Sequence, residues 1–181
     1  MIGLRLLLAV VLATPEQPAV PIELQVELLD RVLAYERGFV AHASPQAVAL
    51  VTCLDEPGSL AVARQVVRAL EARGTLGGQA LKVELVRFVG PEALAQAAKD
   101  KGADVVIFAP GLGAQAGAVA AAFDDVATLT VATTSDGVRE GFVLGFDLLA
   151  GKPRMHLNLT RARRQHADFR ASVLQLMTVY P

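Results

Sequence analysis

Residues 104–117, Asp-Val-Val-Ile-Phe-Ala-Pro-Gly-Leu-Gly-Ala-Gln-Ala-Gly, have the layout of a phosphate-holding turn. An apolar strand runs into glycines and an alanine-rich helix follows, and the free N–H groups of such a helix start can meet an anion. The dinucleotide fingerprint needs Gly-x-Gly-x-x-Gly early in a βαβ unit, with an acidic residue about 20 residues later for the ribose. Here Gly111, Gly113 and Gly117 are spaced one residue too long and follow the third strand. Asp124 and Asp125 come too early, Asp136 follows the next strand, and no Lys-Ser or Lys-Thr pair follows the glycines. The pattern reads as a tight turn set by Pro110 and Gly111, with Gly113 letting the helix start close to the sheet.

Other reactive types are scattered. His42, His156 and His166 lack metal-ligand spacing, and neither His-Glu-x-x-His nor Cys-x-x-Cys occurs. Ser59, Ser135 and Ser172 lack a nucleophile elbow. The single cysteine, Cys53, sits inside an apolar run, which favours an inert thiol and rules out an internal disulfide. No catalytic residue, metal or cofactor is expected. Loops at the carboxyl ends of parallel strands meet at a crevice. Asp55, Glu56, Gly111, Gly113, Thr134, Ser135 and Asp136 fall in such loops, so they are the set that would line a small-ligand pocket. Taken singly, each also suits a helix cap or a turn.

The elements that must position these residues follow from periodicity. Leu24, Leu28, Val32, Tyr35 and Phe39 recur at helical spacing after Pro21, which predicts a helix ending near Gly38. Residues 47–54 form a continuous apolar run, as a strand buried on both faces does. Ser59 is placed to cap a helix over 60–73 that Gly74 stops. Residues 80–89 alternate, as a more exposed strand would, and Pro91 to Gly102 bound the next helix. Strands over 104–108 and 127–134 flank a helix over 114–123, and Ser135 to Glu140 form a polar loop. Residues 141–149 and 153–159 read as a β-hairpin turned by Ala150, Gly151 and Lys152. Phe169, Val173, Leu176 and Tyr180 share a face of an expected terminal helix over 160–180. The prediction is one α/β domain: an open, mostly parallel sheet with helices on both faces, an antiparallel hairpin near the carboxyl end and a terminal helix.

Size and composition agree with one folded domain. The chain has 181 residues, 53% apolar and 19% charged, with a net charge of −1, which gives no electrostatic case for nucleic acid. Arg5, the apolar run Leu6 to Leu12, and Val11 and Ala13 at the −3 and −1 positions match a secretory signal peptide. That reading makes 1–13 a cleaved leader, 14–21 a flexible mature amino terminus and 22–181 the domain. It places the product in the periplasm. The competing reading makes the apolar run a buried first strand.

The carboxyl-terminal third carries a resemblance. Gly141, Gly145, Phe146, Gly151, Lys152, Arg154, Leu157, Asn158, Leu159, Ala162, Arg163, Val173, Leu174 and Leu176 fall in an order that resembles the YfiR family. That family's tail has a glycine pair, an apolar strand, a Gly-Arg or Gly-Lys turn, a strand ending Ile-Asn-Leu and an Ala-Arg-rich helix start. Phe142 stands where a second glycine is usual, and Arg170 and Ala171 where two serines are. Redox control through paired cysteines does not carry over to a chain with Cys53 alone. The resemblance implies a periplasmic, non-enzymatic regulator that binds a membrane-bound diguanylate cyclase or histidine kinase, and it leaves a homodimer open. Arg161 and Arg164 lie three apart, so they are expected to share a face that could meet an acidic partner, and exchanging both for Glu is expected to leave folding intact. A periplasmic small-ligand receptor or a flavodoxin-like enzyme using the crevice is the alternative.

Overall fold

The structure, a computed structural model, describes residues 17–41 and 46–181. The expected leader over 1–13, the start of the flexible stretch and His42 lie outside the described residues. Helix α1 (Ile22–Leu33) and the short α2 (Arg37–Ala41) precede β1 (Gln46–Cys53). Then come α3 (Pro57–Arg73), β2 (Thr75–Leu76), β3 (Gln79–Arg87), α4 (Pro91–Lys101) and β4 (Val105–Phe108). A single 3₁₀ turn over Gly113–Gln115 leads into α5 (Ala116–Ala122), followed by β5 (Leu129–Ala132), β6 (Leu144–Leu149) and β7 (Lys152–Asn158). The chain closes with α6 (Leu159–Arg164), α7 (Ala171–Leu174) and β8 (Met177–Tyr180).

These strands form one sheet in the order β2-β3-β1-β4-β5-β6-β7-β8. The five central strands run parallel, β7 returns antiparallel to β6, and β8 lies parallel to β7. One face packs on α1, α3 and the carboxyl-terminal helices, and the other on α4 and α5. That double cover explains the unbroken apolar runs of β1, β4 and β5. From β1 the chain crosses to β3 on one side and then to β4 on the other. The carboxyl ends of β1 and β4 are therefore the topological switch point, where open α/β sheets usually bind ligands.

Three expected elements end differently. The first helix stops at Leu33, because the side chain of Glu36 turns inward. Its carboxylate accepts from the N–H of Gly38 at 2.9 Å, of Phe39, and of Asp168 at 2.6 Å, so it pins this bend to the far end of the chain. Ser59 is not a cap: α3 begins at Pro57, and the buried Ser59 hydroxyl points elsewhere. The long terminal helix is replaced by α6, α7 and β8. Gln165 is drawn into the core, where its amide bonds Thr130, and His166 takes a left-handed φ of 59° that ends the helix. Residues 177–180, Met-Thr-Val-Tyr, then pair with the open edge of β7. Helical spacing of four apolar residues could not outweigh that tertiary pairing.

Candidate functional site

The switch-point crevice is closed from within. Asp55 and Glu56 follow β1, and Gly111 follows β4. Between them the Ser59 hydroxyl accepts from the Leu54 N–H at 3.1 Å and donates to the Pro110 carbonyl at 2.9 Å. The Leu54 side chain lies against Gly111, whose φ of 95° and close neighbour both call for glycine. Asp55 turns outward to Arg87 at 3.2 Å, with both side chains well exposed. Gly113 and Asp136 are brought together: a Cβ on Gly113 would sit 1.7 Å from Asp136 Oδ2. The place in front of the glycine turn, where a phosphate would rest, is filled by the chain's own carboxylate.

Ser135 and Asp136 do line a cavity, but on the carboxyl-terminal side of the sheet. It is a shallow, polar hollow of about 330 Å³. Ser135 Oγ donates to Asp147 Oδ2 at 3.0 Å, and His156 Nδ1 lies 2.8 Å from the Tyr180 hydroxyl. The Arg139 guanidinium stands 4.6 Å from the centre of the Tyr180 ring. Burial pushes the His156 pKa below its ordinary 6.5; Asp147 opposes this, and Arg139 and Arg154 reinforce it. Thr134 does not reach the hollow with its neighbours; its carbonyl lies against Gly145, where a Cβ would come within 2.4 Å. Arg139, Asp147, His156 and Tyr180 were not singled out as site residues from the sequence. The signal available was Asp147 as the one charged residue in the apolar run over 141–149.

The residues carrying the family resemblance have structural work. Asn158 caps α6 by accepting from the Arg161 N–H at 3.0 Å, and its amide donates to the Val138 carbonyl at 3.0 Å. Gly141 lets a loop lie on α5, since a Cβ there would sit 2.2 Å from the Ala116 carbonyl oxygen. Phe142 is buried with its ring centre 4.6 Å from that of Phe108. Arg161 and Arg164 share one acceptor, Asp124, at 3.2 and 2.8 Å. They are a clamp between α6 and the end of α5, with Arg161 only 25% exposed. Cys53 is buried, and burial raises its thiol pKa, so it is held as the unreactive thiol. Among the described residues no group of three or more His, Cys, Asp or Glu side chains could hold a metal ion.

On the α1 face of β7 and β8 lies a second hollow, of about 270 Å³ and mainly apolar. Val32 and Tyr35 form one wall, Met155 and Met177 the floor, and Leu176 the outer rim. No helix covers it.

Comparison with known proteins places this arrangement. A family model described as YfiR/HmsC-like matches residues 42–178. The chain belongs to this family. The YfiR/HmsC-like family is periplasmic, and regulatory rather than catalytic. No curated protein matches the chain. Among solved structures, a conserved domain protein from Vibrio cholerae O1 biovar El Tor is similar, with a TM-score of 0.62 at 17% identity. The match covers 88% of this chain and 60% of that one. The ABC domain in complex with L-Trp from Streptococcus pneumoniae matches with a TM-score of 0.61 at 11% identity, over 88% of this chain and 61% of that one. The chain thus spans about three fifths of each of those solved chains, and at these identities the likeness shows the α/β fold alone. No described helix is long and apolar enough to cross a membrane.

Proposed function

We propose that this chain is a periplasmic regulator without catalytic activity that binds a membrane signalling protein, a diguanylate cyclase or a sensor kinase, and restrains its output. The observation that carries the reading is the YfiR/HmsC-like match over 42–178. The sealed switch point supports it, because Ser59 and Asp136 occupy the places where an α/β enzyme would hold its ligand. A regulator of this kind acts by differential binding: it shifts its target only as far as it prefers the inactive state. A tenfold preference supplies about 1.4 kcal/mol. Export by a leader over 1–13 belongs to the same proposal. Protein isolated from the native host should then begin at Thr14 or close to it, and an intact Met1 in the cytoplasmic fraction would contradict it.

The test is to capture tagged, exported protein from native membranes and to identify a signalling protein whose output rises when this chain is deleted. A cyclase or kinase that co-purifies, with higher cyclic di-GMP or kinase output in the deletion strain, supports the proposal. Absence of any membrane component from the captured material overturns it.

A small-ligand receptor is the second reading, and the hollow around Ser135, Asp136 and Arg139 favours it. A saturable rise of melting temperature with a polar metabolite would support that reading, since a ligand of the native state stabilises by mass action. NAD, FMN and ATP are expected to cause no such rise.

A further inference from the structure

The two edges of the sheet are finished in opposite ways. At the β3 edge, Glu84 pairs with Lys82 at 2.8 Å and with Lys101 at 2.6 Å, and these partners hold its pKa down to about 2. Charges on an edge strand discourage another chain from pairing there. At the other edge β8 has β7 on one side and, among the described residues, no strand on the other. Its surroundings are apolar: Leu176 is 71% exposed, Tyr35 48% and Val179 37%. Side chains alternate along strands, so Met155, Met177 and Val179 share the α1 face, while His156 and Tyr180 take the opposite one. The sheet thus runs out past α1, and the overhang is the apolar trough.

Arg31, in the lining, is already paired with Glu27 at 2.5 Å, so the cation beside the trough that can meet a new carboxylate is Arg170, whose guanidinium lies 5.9 Å from the Tyr35 ring centre. Among the described residues no carboxylate lines it. A segment that fills such a trough needs apolar side chains for the floor and carboxylates for its flanks. A second copy docking face to face would offer Arg170 a lining that holds no carboxylate among the described residues, and a flat membrane surface would not reach the floor between α1 and β8.

We infer that this trough is the docking site for an apolar segment flanked by Asp or Glu on the periplasmic part of the membrane partner. The inference rests on the regulator reading proposed above. Apolar anchors seated in desolvated pockets, with charges at the rim, are the usual distribution of binding energy at interfaces.

The test places the photo-crosslinking residue benzoylphenylalanine at Leu176 and, as a control, at Val89, which is 78% exposed at the far edge. Both full-length proteins are expressed in the native host, irradiated, and the crosslinked segments are mapped. Capture is measured in parallel for the wild type, Leu176→Glu and Arg170→Glu. The expected result is a crosslink from position 176, and not from 89, to an acidic-apolar segment of a membrane signalling protein. Capture should fall about tenfold or more with Leu176→Glu and by less with Arg170→Glu. Should Leu176→Glu lose its fold, the crosslink and Arg170→Glu carry the same forecast. Crosslinking of position 176 to a second copy or to lipid overturns the inference. So does crosslinking of the membrane partner from 89 alone, which leaves the regulator reading standing. Failure of both positions to reach any membrane protein, with no membrane protein captured by the wild type, overturns both.

Discussion

The switch point between β1 and β4 and the sheet end at β7 and β8 divide the molecule into a closed region and an open one. In the first, the fold's customary ligand crevice is stitched shut by Ser59 and filled in front of Gly113 by Asp136. In the second, the sheet end at β7 and β8 carries a hollow on each face, an apolar trough on the α1 side and a polar one on the other. Open α/β sheets usually bind ligands at that crevice; here two exposed hollows lie at the sheet's carboxyl-terminal edge. The contrast fits the regulator proposed above.

The strongest way to break this comparison is to unstitch the crevice. Ser59→Ala leaves the part-buried Leu54 N–H and the buried Pro110 carbonyl without their hydroxyl partner, at a cost of about 2 kcal/mol. For a domain of this size that is a fall of about 4–8 °C in melting temperature. Partner capture should be untouched, because the trough is elsewhere. A variant as stable as the wild type would show that the crevice is not held shut by this residue.

A smaller effect comes from the arginine clamp. R161E/R164E would gather three carboxylates at Asp124, in place of one carboxylate held by two guanidinium groups. Partly exposed pairs are screened, so the loss should be about 1 kcal/mol, and less in high salt. Melting curves at low and high ionic strength check this. The fold is still expected to survive this loss, but these side chains hold α6 to Asp124, so a change of capture in this variant would first have to be separated from the lost stability.

The smallest effect concerns His156 on the polar face. Its folded pKa lies below 6.5, so between the two values the unfolded chain binds more protons. Stability from this group is fully present above about pH 6.5 and falls as the pH drops toward the folded value. Melting temperatures from pH 7.5 to 5 should therefore decline less steeply in His156→Asn. Identical slopes would show that the histidine is not held in its neutral form by burial.

Much of the fold was legible because its signals are local. Continuous apolar runs marked β1 and β4, and proline and glycine bracketed α4. The glycine turn was legible as a turn for the same reason: its spacing failed a known geometry. What escaped were elements decided by distant partners. Residues 177–180 become a strand only because β7 offers an edge, and α1 ends where Glu36 finds N–H groups at Gly38 and Asp168. The trough escaped for a related reason. Its walls come from α1, β7 and the carboxyl terminus, and no spacing rule joins Tyr35 to Leu176. Asp136 was in view as a ligand residue, but its place against Gly113 needed the register of two loops.

The central claim, a regulator that works through its surface, is tested most directly by signalling output in a single strain series. Cyclic di-GMP, or the output of the captured kinase, is measured with the wild type, a deletion and Leu176→Glu at equal periplasmic levels. The account predicts high output in the deletion, low output with the wild type, and output near the deletion level with folded Leu176→Glu. Output that does not change on deletion would contradict it.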